Sequence, residues 1–494
     1  MAMASTAAVT APARSNPLGP GAMDGRRYIE GLDDGREVWI GGERVRNVAR
    51  HPLFENLVRE MARIYDMQHA AETRDRMTFV NENGVRISYS YLEPLKPEDL
   101  GLRRRNAEIW ARQSYGMMGR YPDFCAAIAV GFKDVAPELA KLDPAFARNA
   151  AWHHQYAAEN DLCLGHGLHD PNMDKTLRPE LDPDRCLRIV KEKDGGIVVR
   201  GARFVTLGPV SHEMQIAPTY ILNEKEADHA LWFAIPSNAP GLKMLCREPF
   251  AGRNRFDHPV SSRFDEQDAL VIFDDVFVPW ERVFLARHPL VANRLFRSGV
   301  MVWAIHAAVI QLVARMELLI GVGHLMATVG GVDQRPNVQQ LLGELITYKR
   351  IFESLMRTSE IDCVQTAGGR CAPGELLHQR AFITLVSERI VAILEQIGSS
   401  GLIFLPQEKD FAAPELKRLI DLYYRGRSTS AYDRTKLAKL AWELTGDGFG
   451  GRQQLYERLH SGDPNVIVGA VYQRYNKAEA IKMVEELLDT KFAG

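Results

Sequence analysis

The chain has 494 residues, of which 46% are hydrophobic and 25% charged, an ordinary composition for a globular protein of several subdomains. The formal net charge at pH 7 is −2 and the sequence has no basic block, which excludes a nucleic-acid partner held by a basic surface. The most apolar stretch, around residues 300–313, carries histidine and glutamine, so we expect no membrane span.

The first 22 residues, MAMASTAAVTAPARSNPLGPGA, are rich in alanine, proline and serine and contain no apolar run of the signal-peptide type. We predict that residues 1–22 form a disordered tail. The six cysteines of the chain show no Cys-x-x-Cys spacing. Scattered cysteines in a chain of this length indicate reduced thiols and a cytoplasmic location, and they argue against disulfides or a zinc site.

Residues 23–150 are predicted to form a mainly helical domain. The runs HPLFENLVREMARIYDMQHA and RRRNAEIWARQSYGMM place apolar residues at three- and four-residue steps. Between them, RMTFVNENGVRISY alternates around an Asn-Gly pair and predicts a hairpin. The next stretch, GMMGRYPDF, has glycines and a proline that stop a helix, which would place Arg120 near the negative end of that helix.

Residues 151–288 are predicted to form a β domain. CLRIVKEKDGGIVVRGARFVTL indicates two strands around Asp-Gly-Gly, and LWFAIPSNAPGLKML and DALVIFDDVFVPW continue the series. Just before these strands, His166 and His169 stand in LCLGHGLHDPNMDK, which predicts a loop. Because no carboxylates or second histidine pair converge on this loop in the sequence, a histidine that acts as acid, base or hydrogen-bond donor fits better than a metal ligand.

Residues 289–494 return to a helical period in VIQLVARMELLIGVGHLMATV and HQRAFITLVSERIVAILEQI, which predicts a helical bundle. EQIGSSGL ends a helix at its glycine. The string GDGFGG, residues 446–451, matches a dinucleotide-binding pattern but follows a helix instead of a strand, so a Rossmann site is excluded. A glycine-rich loop around the phosphates of a cofactor stays open. Glu457, taken alone, indicates a carboxylate on a helix surface.

Several stretches, in the same order and covering nearly all of the chain beyond the tail, resemble the two-component 4-hydroxyphenylacetate 3-hydroxylases that use reduced flavin. Their superfamily includes 4-hydroxybutyryl-CoA dehydratase. These stretches are YIEGLDDGREVWIGGERVRNVARHP, YGMMGRYPDF, PVSSRFDEQDALVIFDDVFVPWERVF, GSSGLIFLPQEKDF and GFGGRQQLYERLHSGDP. The resemblance implies an α+β fold similar to acyl-CoA dehydrogenases, with a helical N-terminal domain, a central β-barrel, a C-terminal four-helix bundle and a homotetrameric assembly.

The resemblance also implies a function and its residues. FADH2 would come from a separate flavin reductase, and the enzyme would use O2 to hydroxylate an aromatic, phenolic substrate. Arg120 and His166 would be the catalytic pair around the phenolate oxygen or the flavin peroxide, and Phe124, His306 and Glu457 would contact the substrate. The cofactor-binding residues would be Thr206, Leu207, Gly208, Ser211, Gln396, Gly398, Ser399, Gly450, Gly451 and Arg452, with the C-terminal segments serving a neighbouring subunit.

Some positions depart from the family pattern. Phe124 stands where the phenol hydroxylases usually have tyrosine, and Leu207 stands where they often have threonine. Aligning the cluster histidine of the dehydratases on His306 puts Val313 where those enzymes have a cysteine, so we expect no iron–sulfur cluster and no metal. The alternative is a flavin-dependent, non-redox cyclase of the Dieckmann type, or a lyase, in natural-product biosynthesis. That enzyme would act on a small aromatic or carrier-bound substrate and would tolerate the loss of the pocket tyrosine.

Overall fold

A computed structural model describes residues 20–492, except residues 119, 172, 173, 175, 220, 460 and 461. Most of the predicted disordered tail, residues 1–19, lies outside the described residues. The helices of the first half are α1 Gly25–Gly31, α2 Glu55–Asp66, α3 Arg74–Met77, α4 Pro97–Gln113, α5 Pro122–Asp134, α6 Ala136–Leu139, α7 Pro144–Asn160 and, in the middle region, α8 Ser261–Phe264.

The second half is helical, as predicted. Its helices are α9 Pro289–Leu295, α10 Met301–Val329, α11 Pro336–Ile361, α12 Leu377–Gly398, α13 Glu408–Ala412, α14 Pro414–Tyr423, α15 Ala431–Thr445, α16 Gly448–Leu459, α17 Pro464–Arg474 and α18 Ala478–Leu488. A short π-helix, Phe296–Val300, joins α9 to α10. Helices α10, α11, α12 and α15 pack against one another as a four-helix bundle.

The strands are β1 Glu37–Ile40, β2 Glu43–Val45, β3 Thr78–Val80, β4 Arg86–Ser88, β5 Leu164–His169, β6 Arg188–Lys193, β7 Gly196–Thr206, β8 Glu213–Ile216, β9 Leu231–Pro236, β10 Leu242–Cys246, β11 Ala269–Pro279, β12 Val283–Ala286, β13 Val364–Gln365 and β14 Cys371–Ala372. Both hairpins predicted from turn chemistry are confirmed. β3 pairs antiparallel with β4 around Asn83-Gly84, and β6 pairs antiparallel with β7 around Asp194-Gly195.

Ten strands form one central sheet in the order β12-β9-β8-β5-β7-β11-β10-β1-β2, with β6 beside β7. In the described part of the chain no ladder joins β12 to β2, so this sheet is open and the predicted barrel is not confirmed. The α+β fold class is confirmed. The N-terminal region also contributes more than helices, because β1 pairs in parallel with β10 and adds an edge to the sheet. Helix α7 runs across the boundary predicted at residue 150.

The most apolar helical run of the bundle bears on the expectation that the chain has no membrane span. By length and composition alone, the helical run Pro289–Val329 would qualify, and half of its most apolar 18-residue window is buried within this chain. Its longest part, α10, packs against α4, α5, α11 and α12. Core helices of soluble bundles have the same composition, so this run is weak evidence for a membrane span.

The structure corrects two local predictions and decides against one alternative that the sequence left open. Helix α4 ends at Gln113, and Arg120 lies in the segment before α5, so Arg120 is not a cation at a helix end. The strand β5 contains both His166 and His169, which were predicted to lie in a loop. In GDGFGG, Gly446 caps the end of α15, and Gly448, Gly450 and Gly451 lie in the first turn of α16, so no glycine-rich loop forms there. Gly450 allows this, because a Cβ there would lie 2.6 Å from the carbonyl oxygen of Glu443.

Candidate active site

Arg120 is the centre of the candidate site. It is buried, and its backbone N–H donates a 2.8 Å hydrogen bond to Glu266 Oε2. Its guanidinium carbon lies 4.5 Å from the ring centre of Phe124 and 4.7 Å from that of Tyr456. A guanidinium between two aromatic rings keeps its charge and gains cation–π attraction. The predicted helix break therefore places a fixed positive charge inside the protein.

Helix α5 brings Phe124 and Cys125 to this charge. Pro122 at the first turn fixes the start of α5, and Asp123 in that turn complements the positive helix end. The ring centres of Phe124 and His166 lie 5.2 Å apart. The structure therefore brings Arg120, Phe124 and His166 together, as the resemblance implied.

His166 is a neutral histidine in this setting. It is buried on β5, and its Nδ1 lies 3.6 Å from the sulfur of Cys125. Burial lowers the pKa of His166 well below its ordinary value, and the charges of Arg120 and His169 lower it further. A neutral imidazole can exchange a hydrogen bond with an oxygen beside Arg120 without adding a second cation.

The sequence analysis missed Tyr456, which closes the site from the C-terminal half. Tyr456 lies on α16 four residues after Arg452, and the guanidinium carbon of Arg452 lies 5.3 Å from the Tyr456 ring centre. The side chain of Tyr456 also interacts with that of Thr206, which pairs with His166 across β7 and β5. The sequence signal that could have identified Tyr456 was its spacing of four residues from Arg452, since residues four apart share one face of a helix.

The predicted cofactor segment 206–211 is buried beside this site. Leu207 has a φ of +62°, which is unusual for a residue with a branched side chain. Arg36 holds the segment, because its Nη1 donates hydrogen bonds to the carbonyl oxygens of Pro209 and Ser211 at 3.0 and 2.6 Å. Gly208 starts a short 3-10 turn. The segment is thus a rigid, strained wall of the site.

The other predicted cofactor residues fall in two places. Gln396 and Ser399 are exposed at the end of α12, with Gly398 between them half-buried. Ser399 has a φ of +49°, a strained conformation of the kind found at binding sites. Gly450 and Gly451 lie in the first turn of α16, and Arg452 pairs with Asp268. A surface segment such as 396–399 is accessible to a second subunit.

Several features of this region fit a polar cofactor. Around Arg452, the buried atoms Arg452 Nη1, Asp268 Oδ1 and Glu266 Oε1 lack a hydrogen-bond partner among the described residues. Buried polar atoms normally have partners, so such a group of atoms indicates a bound polar molecule. Beside them, a Cβ added at Gly451 would meet no atom within 4 Å. The residues present therefore fit a flavin.

His306 and Glu457, predicted to contact the substrate, lie in other surroundings. Nε2 of His306 is 3.2 Å from Glu360 Oε1, and His306 lines a small cavity with Arg103, Asn106 and Asp123. Arg315 donates a 2.8 Å hydrogen bond to Glu457 at a cavity between the bundle helices. Substrate contact by these two residues stays a prediction.

One group of residues has the proximity of a metal site. Single ligand atoms of His258, Glu443 and Asp447 lie within 4.8 Å of one another. However, Glu443 already accepts hydrogen bonds from the backbone N–H groups of Val260 and Ser261, and Arg253 lies 3.6 Å from Asp447. These contacts satisfy the carboxylates and describe a junction between the middle region and the bundle.

Comparison with known proteins identifies relatives over nearly the whole chain. A protein from Thermus thermophilus, the oxygenase component of 4-hydroxyphenylacetate 3-monooxygenase, is 37% identical over 484 residues, covering 94% of this chain and 99% of that protein. The oxygenase component of 4-nitrophenol 2-monooxygenase from a Rhodococcus species is 32% identical over 457 residues, covering 90% of this chain and 87% of that protein.

Solved structures show the same relationship. A crystal structure of the oxygenase component HpaB of 4-hydroxyphenylacetate 3-monooxygenase, complexed with FAD and 4-hydroxyphenylacetate, has a TM-score of 0.89 and 37% identity, covering 95% of this chain and 98% of the other. An archaeal 4-hydroxybutyryl-CoA dehydratase from N. maritimus has a TM-score of 0.87 at 20% identity, covering 96% of each chain, and shares the fold.

Two family models cover both halves of the chain. The model for the 4-hydroxyphenylacetate 3-hydroxylase N terminal matches residues 24–285, and the model for the C terminal of the same family matches residues 292–489. The chain therefore belongs to the 4-hydroxyphenylacetate 3-hydroxylase family.

Proposed function

We propose that this protein is the oxygenase component of a two-component monooxygenase. It would use FADH2 from a separate flavin reductase, together with O2, to hydroxylate an aromatic, phenolic substrate. The observation that carries this proposal is Arg120, held between Phe124 and Tyr456 beside a neutral His166, in a chain 37% identical to a protein whose structure contains FAD and 4-hydroxyphenylacetate.

The residues of this chain suit such a reaction. Thr206–Ser211, with Gly450, Gly451 and Arg452, would hold the flavin, which when bound and reduced supplies the electrons that activate O2. Arg120 would hold the phenolate oxygen of the substrate, because a guanidinium stays charged in a dry pocket and its field is strong there. His166 would share a hydrogen bond with that oxygen and hold or return its proton. The rings of Phe124 and Tyr456 would exclude water.

Supplying FADH2 and O2 to the purified protein tests this function. FAD would be photoreduced without a reductase and mixed with O2 and a set of phenols. We expect a product that contains one added oxygen atom from O2, formed only when both reduced flavin and phenol are present. Consumption of O2 without any hydroxylated product, for every phenol tested, would contradict the proposal.

The second candidate is a non-redox cyclase or lyase, which the missing hydroxyl at Phe124 favours. Such an enzyme would convert its substrate, free or carrier-bound, without consuming O2. Product formed at equal rates with and without O2 would therefore identify it.

The six cysteines, all free and mostly buried, support a reducing compartment, so we place the protein in the cytoplasm.

We further propose a homotetramer. Helix α18 has no buried residue, and its apolar side chains include Leu487, 84% exposed, and Met483, 71% exposed. Tyr472 on α17 and Tyr423 on α14 are exposed to a similar degree. Apolar surface of this extent indicates a protein partner, and a second copy of the chain is the partner that the family resemblance suggests.

Light scattering tests the assembly. At micromolar concentration we expect a mass of four chains, and a chain ending at residue 477, without α18, is expected to give smaller assemblies because it lacks that apolar surface. A full-length protein that binds FAD and has the mass of one chain would contradict the proposed assembly.

A further inference from the structure

The thiol of Cys125 lies where helix α5 packs against the central sheet, beside the proposed catalytic histidine. Cys125 follows Phe124 on α5 and is completely buried. Its sulfur lies 3.6 Å from Nδ1 of His166, within the range of a hydrogen bond that involves sulfur. Among the described residues, the His166 ring makes no other hydrogen bond. The neighbour that can orient this imidazole is therefore the thiol of Cys125.

A second contact holds Cys125 in this position. Nε2 of Gln215 donates a 2.7 Å hydrogen bond to the backbone carbonyl oxygen of Cys125. Gln215 pairs with His166 across β8 and β5, and both side chains are buried. Neighbouring strands thus contact the same residue of α5, one through its carbonyl oxygen and the other through its sulfur. The distance between the sulfur and the imidazole is fixed by this packing.

The chemistry of the two groups decides which of them donates the hydrogen. Burial raises the pKa of the Cys125 thiol well above its ordinary value, so the sulfur carries its proton. A neutral imidazole has one nitrogen that donates and one that accepts, and sulfur is only a weak acceptor. The pair is therefore more stable when the S–H group donates to Nδ1 than when Nδ1 donates to sulfur. An accepting Nδ1 leaves the imidazole proton on Nε2, the nitrogen on the other side of the ring.

We propose that Cys125 is a positioning residue of the hydroxylase site: its S–H group donates to Nδ1 of His166 and holds the imidazole as the tautomer with its proton on Nε2. This inference rests on the proposed function, in which His166 shares a hydrogen bond with the phenolate oxygen held by Arg120. In this tautomer Nε2–H is a donor that stabilises negative charge on that oxygen, whereas an unprotonated Nε2 would repel it.

Infrared spectroscopy tests the hydrogen bond without turnover, because the S–H stretching band lies where proteins absorb little else. Subtracting the spectrum of Cys125→Ala from that of the natural protein isolates the Cys125 band. The same subtraction with Cys246→Ala gives a reference band from a buried thiol that makes no hydrogen bond to the described residues. We expect the Cys125 band at lower frequency than this reference, and a return to higher frequency in His166→Phe. If Cys125→Ala does not fold, Cys125→Ser serves for the subtraction, since it also lacks the thiol.

Turnover tests the consequence for the reaction. Cys125→Ala removes the donor, and we expect its turnover number with pre-reduced FAD to fall about tenfold, because the bond that selects the tautomer of His166 is lost. Cys125→Ser restores a donor of similar size and should recover most of the turnover number. The control Cys246→Ala also removes a buried sulfur and should keep the turnover number of the natural protein, measured per folded molecule.

The outcomes separate this inference from the proposed function. A Cys125 band at the frequency of the Cys246 band would overturn the inference, whether or not the protein hydroxylates phenols. Equal losses of turnover in Cys125→Ala and Cys125→Ser, or no loss in either, would also overturn it, because a thiol that only fills space acts in that way. If His166→Phe hydroxylates phenols at the natural rate, the proposed role of His166 fails, and the positioning role of Cys125 fails with it.

Discussion

Replacing Arg120 with lysine is expected to lower the turnover number for aromatic hydroxylation about a hundredfold, the usual loss when one fixed donor to a developing oxyanion is removed. Lysine keeps the positive charge but has a flexible ammonium in place of the planar guanidinium that lies between the rings of Phe124 and Tyr456. The charge would then no longer be fixed at the position of the phenolate oxygen. Rapid-mixing measurements of product formation with pre-reduced FAD would give the turnover number independently of the reductase.

Arg103 offers a matched control for this prediction. It is buried to a similar degree as Arg120, and its guanidinium carbon lies 5.9 Å from the ring centre of Trp303. Arg103→Lys should lower the free energy of unfolding to a similar extent, because it also disturbs a buried arginine. Its turnover number, per folded molecule, should stay near that of the natural protein. If Arg120→Lys retained full turnover, Arg120 would have only a packing role.

Local features of the site region were predictable from sequence to a useful extent. Turn chemistry alone gave both hairpins, since Asn83-Gly84 and Asp194-Gly195 favour the tight reversals that join neighbouring strands. The helical period predicted that residues 289–494 are helical, because apolar residues at three- and four-residue steps mark helices with a face to bury. The arrangement of four of these helices as a bundle was implied by the family resemblance. The turn and period signals lie within a short stretch of chain, where the physical cause and its effect are adjacent.

Long-range pairing was not predictable in the same way. The parallel pairing of β1 with β10 joins residues about two hundred positions apart, and no local pattern distinguishes Glu37–Ile40 from any other short strand. The string GDGFGG left a glycine-rich loop open as an alternative, and glycine also weakens helices. In the structure, the close approach of Gly450 to the Glu443 carbonyl offsets that weakness through packing. Packing against a distant part of the fold therefore made this segment helical, although glycine has a low helix propensity.

Some residues of the active site could be identified from the sequence, and others only from the folded structure. Arg120, Phe124 and His166 were identified through resemblance, and the structure places their side chains together. Tyr456 and Glu266 complete the surroundings of Arg120 from distant parts of the sequence. Sequence patterns show neither contact, because only the packing of α16 and of the segment before β11 against Arg120 creates them. These two contacts of Arg120 are therefore a property of the fold.

Replacing Phe124 with tyrosine is expected to slow hydroxylation of the protein's best substrate about tenfold or more. The phenylalanine ring lies between the Arg120 guanidinium and the His166 ring, so an added hydroxyl would enter a buried space already occupied by these groups or by the substrate. A hydroxyl without a partner costs about 1–3 kcal/mol in such a site. A hydroxyl that found a partner in His166 or Arg120 would compete with the substrate oxygen for it.

The same substitution should change the choice of substrate. A site that hydrogen-bonds a substrate oxygen through tyrosine rejects molecules that lack this oxygen, and phenylalanine removes that requirement. We therefore expect the natural protein to prefer substrates with an apolar group near Phe124, and Phe124→Tyr to gain activity on 4-hydroxyphenylacetate relative to those substrates. Comparing kcat/KM for 4-hydroxyphenylacetate and for alkylphenols of similar size, in both proteins, measures this shift.

Phe132 provides the control, because it is buried on the same helix as Phe124 but packs against Trp232 and Phe284, away from Arg120. Phe132→Tyr buries the same hydroxyl and should lower the free energy of unfolding by about 1–3 kcal/mol. It should leave the ratio of the kcat/KM values for the different phenols unchanged, since the ring of Phe132 does not contact the site. A selective kinetic effect of Phe124→Tyr would then assign Phe124 to the substrate pocket. If both variants lost stability and neither changed the ratio of kcat/KM between phenols, Phe124 would only pack against Arg120. The missing hydroxyl would then have no effect on which phenol the enzyme accepts.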